Sequence, residues 1–280
     1  MPCTKFLKRR FSNFEYRFAP GTRRMMTVIV TALILCLCFA QKGLTEQIAA
    51  DRPGLANGTG IVPTGTLQLE SGYRFSRVGQ GKQHTLGEVL LRIAPRQRME
   101  FRVGVNSYLF TRSPGSDDSG FGDGSVGLKV KLFEGSEGME SLDISTILAT
   151  TLPTGSEIYR ENKLQPSAEL ILGWNLSERV GIGTDFSYTL ASLGGDQYNQ
   201  FAGGVSLGFS LSGRTACFLE YYGVAVESGY GENTSYFDGG FTYLISDNCQ
   251  VDIHSGVGLS DEDPNYFVGV GLCYNFGLNK

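Results

Sequence analysis

Beyond residue 40 the chain has no long apolar run, and its 280 residues include only two histidines, one tryptophan and nine prolines. The missing runs exclude a bundle of membrane-crossing helices after that point, because such a helix needs roughly 17 to 25 predominantly apolar residues. Cysteine is scarce as well. Cys3, Cys36 and Cys38 lie in the first 40 residues, which leaves Cys217, Cys249 and Cys273. An odd count argues against a disulfide-built scaffold. Cys249 and Cys273 fall at neighbouring ends of one hairpin, but alternation puts them on opposite faces, where bridging geometry is poor. Basic charge is short too. After residue 40 there remain 17 Lys and Arg against 27 Asp and Glu, a net charge of −10, which argues against nucleic acid as a partner.

The first 40 residues have their own pattern. Lys5, Lys8, Arg9, Arg10, Arg17, Arg23 and Arg24 precede an apolar run over 27–40, and Cys38, Phe39 and Ala40 place small residues at −3 and −1 of a cleavage site. A secretory signal removed near Gln41 is expected, with an anchored helix as the other reading. Arg9-Arg10 adds a twin-arginine hint. The expected organisation is therefore a signal at 1–40, a polar segment without periodicity at 41–64, and one domain over 65–280.

That domain is built from alternation. Tyr266, Val268, Val270, Leu272, Tyr274 and Phe276 share one face of the last run, opposite Gly269, Gly271 and Asn275, with the polar turn Asp261, Glu262, Asp263, Pro264 before it. Met99, Phe101, Val103 and Val105 alternate with Glu100, Arg102, Gly104 and Asn106 in the same way. A period of two with unlike faces is the mark of a strand. Runs of about ten residues match the roughly 9 to 11 that let a tilted strand cross hydrocarbon. Twelve such runs are legible, and an even number suits a closed antiparallel barrel of the bacterial outer membrane. The connections point the same way. Those at 177–179, 212–214 and 246–248 are tight, whereas those at 111–120, 152–163, 191–199 and 227–234 are long, as expected for short periplasmic turns and longer extracellular loops.

Closure follows from chemistry, since lipid cannot hydrogen-bond backbone groups and only helices and closed sheets span it. Aromatics near strand ends, Phe133, Trp174, Tyr188, Tyr243, Tyr266 and Phe276, fit girdles at the water interface. The opposite faces carry charge unevenly. Arg74, Arg92, Arg102, Lys129 and Lys131 lie with Glu70, Glu88, Glu100 and Asp123 on the first four strands, whereas Asp143, Glu169, Asp185, Glu220, Asp238 and Asp252 follow without a basic residue in phase. Two readings stand: Arg and Lys reach across a narrow lumen and fill it with ion pairs, or the two walls form a field that guides a solute.

Several motifs appear in order: Asp51-Arg52-Pro53, Val62-Pro63-Thr64-Gly65, Leu67-Gln68-Leu69-Glu70-Ser71-Gly72-Tyr73, Gly122-Asp123-Gly124, Gly127-Leu128-Lys129, Leu152-Pro153-Thr154-Gly155, and Phe218-Leu219-Glu220-Tyr221-Tyr222-Gly223. Val251-Asp252 and Gly256-Val257-Gly258-Leu259 close the set. From Asp51 to Phe276 the chain resembles the outer-membrane transporter family named for the putative meta-pathway of phenol degradation. The resemblance implies an outer-membrane pore or transport protein, with a link to uptake of aromatic or other small compounds. Gly271, Leu272, Tyr274 and Phe276 are similar to the signal read by the barrel assembly machinery, although Gly277, Leu278, Asn279 and Lys280 follow the terminal aromatic.

Catalysis finds little support. His84 falls in an outer loop, and His254 and Ser255 are adjacent, so on opposite faces of a strand they cannot pair as base and nucleophile. Asp117-Asp118 and Asp261, Glu262, Asp263 are acidic loop tips, either solvated or bridging cations. The expectation is an outer-membrane channel for small solutes that uses no cofactor and meets membrane lipid and the assembly machinery. Its lumen set is Arg74, Arg92, Arg102, Lys129 and Lys131 against Glu169, Asp185, Glu220, Asp238 and Asp252, with Asp51, Arg52 and Pro53 in a segment able to act as a plug. A closed structural barrel whose long loops carry the function is the alternative, and a barrel hydrolase comes third.

Overall fold

The structure, a computed structural model, describes residues 48–135, 141–259 and 266–278. Its strands are β1 (Thr66–Val78), β2 (Gly81–Arg96), β3 (Met99–Gly104), β4 (Tyr108–Ser113), β5 (Ser116–Phe121), β6 (Gly124–Phe133) and β7 (Leu142–Leu152). There follow β8 (Gln165–Asn175), β9 (Val180–Leu193), β10 (Asp196–Ser210), β11 (Thr215–Val226), β12 (Thr234–Ser246), β13 (Cys249–Gly258) and β14 (Tyr266–Gly277). Every pairing is antiparallel, and β1 pairs with both β14 and β2, which closes the sheet. β2 pairs with β3 along one half and β4 along the other, while β3 pairs with β6 and β4 with β5. β3 with β4, and β5 with β6, are thus halves of single interrupted strands, and the barrel has 12 staves.

The barrel is apolar outside and polar inside. Phe186, Phe201 and Leu148 are 54 to 60 % exposed, whereas Arg92, Glu100 and Lys129 are completely buried. In β13 the alternation can be followed residue by residue: Gln250, Asp252, His254 and Gly256 are buried and Ile253 and Ser255 exposed. The six expected girdle aromatics all lie on the exposed face. An exposed apolar surface this extensive is a membrane-facing band.

Two expected long loops are corrected. β4 and β5 meet at the tight turn Pro114, Gly115, and β9 and β10 at Gly194, Gly195, where positive φ values of 89°, 60° and 96° need glycine. Ladder pairing continues past the apolar stretches, because strands that project into water no longer need an apolar face. β2 also begins earlier than expected, so His84 lies in a strand, where its ring meets the Tyr73 hydroxyl at 2.8 Å. Within β2 the phase changes: Thr85 is buried, yet so are Arg92 and Ala94. The register shift between Glu70 and Gly72 and the positive φ of Glu88 mark a bulge there, and one extra residue inverts the facing. The long connections at 153–164 and 227–233 stand as expected, and the turn Asp261, Glu262, Asp263, Pro264 lies outside the described residues.

Candidate functional site

Residues 48–64 form no strand, and they run through the lumen. A buried backbone without a ladder must find partners elsewhere, and here the charged wall supplies them. Glu70 accepts the N–H groups of Asp51 and Arg52, Glu220 those of Leu55 and Ala56, and Glu100 that of Val62, at 2.7 to 3.2 Å. In the other direction Arg92 donates to the carbonyls of Ala49 and Gly60, Gln68 to Ala49, and Ser145 to Thr59. The segment is thereby fastened to β1, β2, β3, β7 and β11.

Asp51 is the most heavily engaged residue of the segment. Its side chain is 6 % exposed, with Lys129 Nζ at 3.0 Å, Arg92 at 3.5 Å and Arg102 closer still. Burial by itself would raise its pKa, but the charges of Arg92, Lys129 and Arg102 outweigh burial and hold the carboxyl well below the usual carboxylate range. The wall needs this charge. Arg92 and Arg102 stand directly opposite each other in the β2–β3 register, a repulsive placement on its own. Glu100 lies between them, bidentate to Arg92 at 2.7 and 3.0 Å and 3.0 Å from Arg102, and Asp51 closes the cluster from the centre.

Arg52 points the other way. Its guanidinium meets Glu88 at 2.9 Å and Asp252 at 3.4 Å. Burial would lower its pKa, but Asp252 and Glu88 more than compensate and raise it. It lies over Gly72 and Gly271, which face each other across β1 and β14, and a Cβ at either would overlap the guanidinium. Glycine here makes the slot that admits Arg52.

The remaining lumen residues fall into three groups. Arg74 pairs with Glu88 at 3.1 Å and Lys131 with Asp143 at 2.8 Å, so Asp143 and Asp252 do have cationic partners that alternation missed. Glu169 takes both its bonds from the Asn57 amide, at 3.0 Å. Asp185 and Asp238 differ: Asp185 Oδ1 and both Asp238 oxygens are buried with no hydrogen-bond donor, and Asp238 stands opposite Glu220 in register. Among the described ion pairs, the wall's Arg and Lys bond to acids nearby on their own side or to Asp51, and none reaches Glu169, Asp185, Glu220 or Asp238. Pro53 lines a cavity of about 420 Å³ between the segment and β8 to β11. At one end Ile48 packs with Leu244 and Cys273, a small apolar anchor.

Glu70, Glu88 and Glu100 were legible as inward charges. Their role as acceptors for the segment was not, and Asn57, Gly72 and Gly271 carry no periodic signal that assigns them to it. Other motifs make contacts that hold the barrel together. Thr154 and Asn106 stitch the breaks between β3 and β4 and between β5 and β6, with Gly124 N donating to Thr154 and Asn106 donating to the Gly122 carbonyl. Asp123 accepts from Gly155 and Glu161, which folds the 153–164 loop onto the barrel. His254 is buried, with Ser255 on the opposite, exposed face. Asp117 pairs with Arg112, and Cys217, Cys249 and Cys273 form no disulfide among the described residues. No metal-ligating cluster occurs among the described residues.

With this geometry in view, the family described as Putative MetA-pathway of phenol degradation matches residues 50–276. The chain belongs to this family. Among curated proteins none matches. Of solved structures, the COG4313 outer membrane channel from Pseudomonas putida F1 is similar at 13 % identity and a TM-score of 0.64, over 80 % of this chain and all of the other. The KdgM porin aligns at 8 % identity and TM-score 0.51, over 75 % of this chain and 99 % of its own. The NanC porin aligns at 10 % and 0.50, over 74 % and 98 %. At such low identities these likenesses show the fold alone, that of an outer-membrane β-barrel.

Proposed function

We propose that the protein is a channel in the bacterial outer membrane for passive passage of small solutes, using no cofactor, and that residues 48–64 are its plug. One observation carries this reading: a segment outside the sheet places the Asp51 carboxylate among Arg92, Arg102 and Lys129 in the lumen. A fastening made of ions suits a reversible plug. Desolvation offsets much of the Coulombic gain of a buried ion cluster, and water entering the lumen rehydrates each charge as the segment leaves. An apolar seal would lack that compensation, and the apolar cluster at the segment's start is small, Ile48 with Leu244, Cys273 and Ala50.

On this reading Arg74, Arg92, Arg102, Lys129 and Lys131 face Glu169, Asp185, Glu220, Asp238 and Asp252 as an electrostatic constriction without chemistry of its own. Residues 1–40 are an export signal, the assembly machinery inserts the barrel, and the short turns face the periplasm. The family's description makes small aromatic compounds the first solutes to try. Liposome swelling tests the reading: the chain lacking 41–64, or the full chain with Asp51→Ala, should admit small neutral solutes faster than the unaltered chain. Equal rates in folded proteins would remove the plug, and no swelling in any of them would remove the channel.

A further inference from the structure

The long-loop halves of β7 to β14 contain no Lys or Arg, whereas β1, β2 and β4 each place one there on the outward face. The register aligns them. Arg77 stands opposite Lys82, and Lys82 opposite Arg112, so three cations occupy adjacent positions in one row across three strands. Residues directly opposite share a face of the sheet, and beside Arg77 this row contains Tyr266, which is 42 % exposed. The row therefore points away from the lumen.

Two residues further into the membrane the same strands present Phe75, His84 and Phe110, whose ring centroids are 5.1 and 5.9 Å apart in sequence along the row. Aromatic rings at this height mark the water interface. At about 3.3 Å per residue, the cations stand roughly 7 Å beyond the aromatic row, which is the level of lipid headgroups. Arg112 bridges the two levels, its guanidinium lying 5.5 Å from the centre of the Phe110 ring.

Like charges directly opposite each other are destabilising. Among the described residues one acid answers the row, Asp117 at 3.1 Å from Arg112, while Arg77 donates to the Gly79 carbonyl and Lys82 has no ion pair. Phosphate supplies what is missing, because it combines negative charge with several acceptor oxygens that a guanidinium meets in pairs. The outer leaflet of a bacterial outer membrane carries phosphate on its lipid. We infer that Arg77, Lys82 and Arg112 form a binding site for the phosphorylated headgroup of an outer-leaflet glycolipid, whose acyl chains lie against Phe75, His84 and Phe110. The inference uses the orientation with the short turns in the periplasm and is independent of the plug.

Native mass spectrometry of the folded barrel in detergent micelles, titrated with bisphosphorylated lipid A, tests it. The unaltered chain should retain the lipid, and Arg77→Gln with Lys82→Gln and Arg112→Gln should weaken retention about a hundredfold, at about fivefold per cation. Lys82→Gln alone, at an exposed position, should cost about fivefold. Removing three cations at the short-turn rim, by Arg96→Gln with Arg98→Gln and Arg214→Gln, should leave retention unchanged. Equal affinity of the first variant as a folded barrel, an equal loss at the short-turn rim, or equal retention of dephosphorylated lipid A would each overturn the inference. Displacement of the lipid by millimolar inorganic phosphate would overturn it too, by making the site one for free phosphate. The channel reading stands or falls separately, on swelling.

Discussion

Lys129 Nζ lies 3.0 Å from Asp51 Oδ1, across 78 residues of sequence and with no exposure of its own. This contact ties the basic wall of the barrel to a segment that belongs to no strand. Breaking a buried ion pair from one side strands the other charge, at a cost of about 3 kcal/mol, the low end of the usual range. Asp51→Asn should therefore raise the undocked fraction of residues 48–64 by about a hundredfold. Hydrogen exchange of the segment should report this while the strands keep their protection.

Acid should act through the same residue, with a definite sign. Asp51 has a depressed pKa when docked and an ordinary one, about 3.9, when released. Its contribution to docking is therefore fully present above the ordinary value and lost as pH falls through the docked one. From neutrality down to about pH 5, Asp51 gives no reason for release; below about pH 4 the contribution declines. Segment protection followed over this range should stay flat and then fall, and the low-pH decline attributable to this group should be missing in Asp51→Asn.

The glycine pair under Arg52 gives a structural test. Gly72→Ala or Gly271→Ala would push a methyl group into the guanidinium and break its bonds to Glu88 and Asp252. Residues in one network couple, so each glycine change should loosen the segment alone but add little in an Arg52→Ala background. Full additivity in the double variant would mean that the glycines serve the β1–β14 seam instead.

The exterior should respond differently from the lumen. Phe186 is 60 % exposed and pairs with Leu170 in mid-strand, so Phe186→Lys should cost about 2 to 4 kcal/mol of barrel stability in lipid. Gly208→Ser, into open lumen space, should leave the unfolding midpoint unchanged. Denaturant unfolding in lipid vesicles measures both.

These contrasts also explain what could be read in the sequence. Alternation located the barrel, because lipid outside and water inside impose opposite demands on successive residues, and Arg92, Arg102, Lys129, Asp185, Glu220, Asp238 and Asp252 all lie inward as expected. It failed where one demand lapses. Past the lipid, β4, β5, β9 and β10 continue without an apolar face, and Glu88 inverts the phase with one extra residue. The segment was harder still. Asp51, Arg52 and Pro53 form a legible motif, but residues 48–64 have no period, and their partners are scattered from Gln68 to Val270. Which acids they satisfy and which, like Asp185 and Asp238, they leave alone is decided in three dimensions.

The most direct test of the plug is a reversible lock on it. A Cβ at Gly173 would lie 3.7 Å from that of Thr59, inside the roughly 3.5 to 4.5 Å that a disulfide spans. In an Asp51→Ala chain, Thr59→Cys with Gly173→Cys would pin the loosened segment to β8. Single-channel current across a planar bilayer should be small while the disulfide is intact and rise when a reductant is added to the same channels. A current indifferent to reduction, with the bridge verified to form and break, would contradict the proposal that residues 48–64 close the lumen.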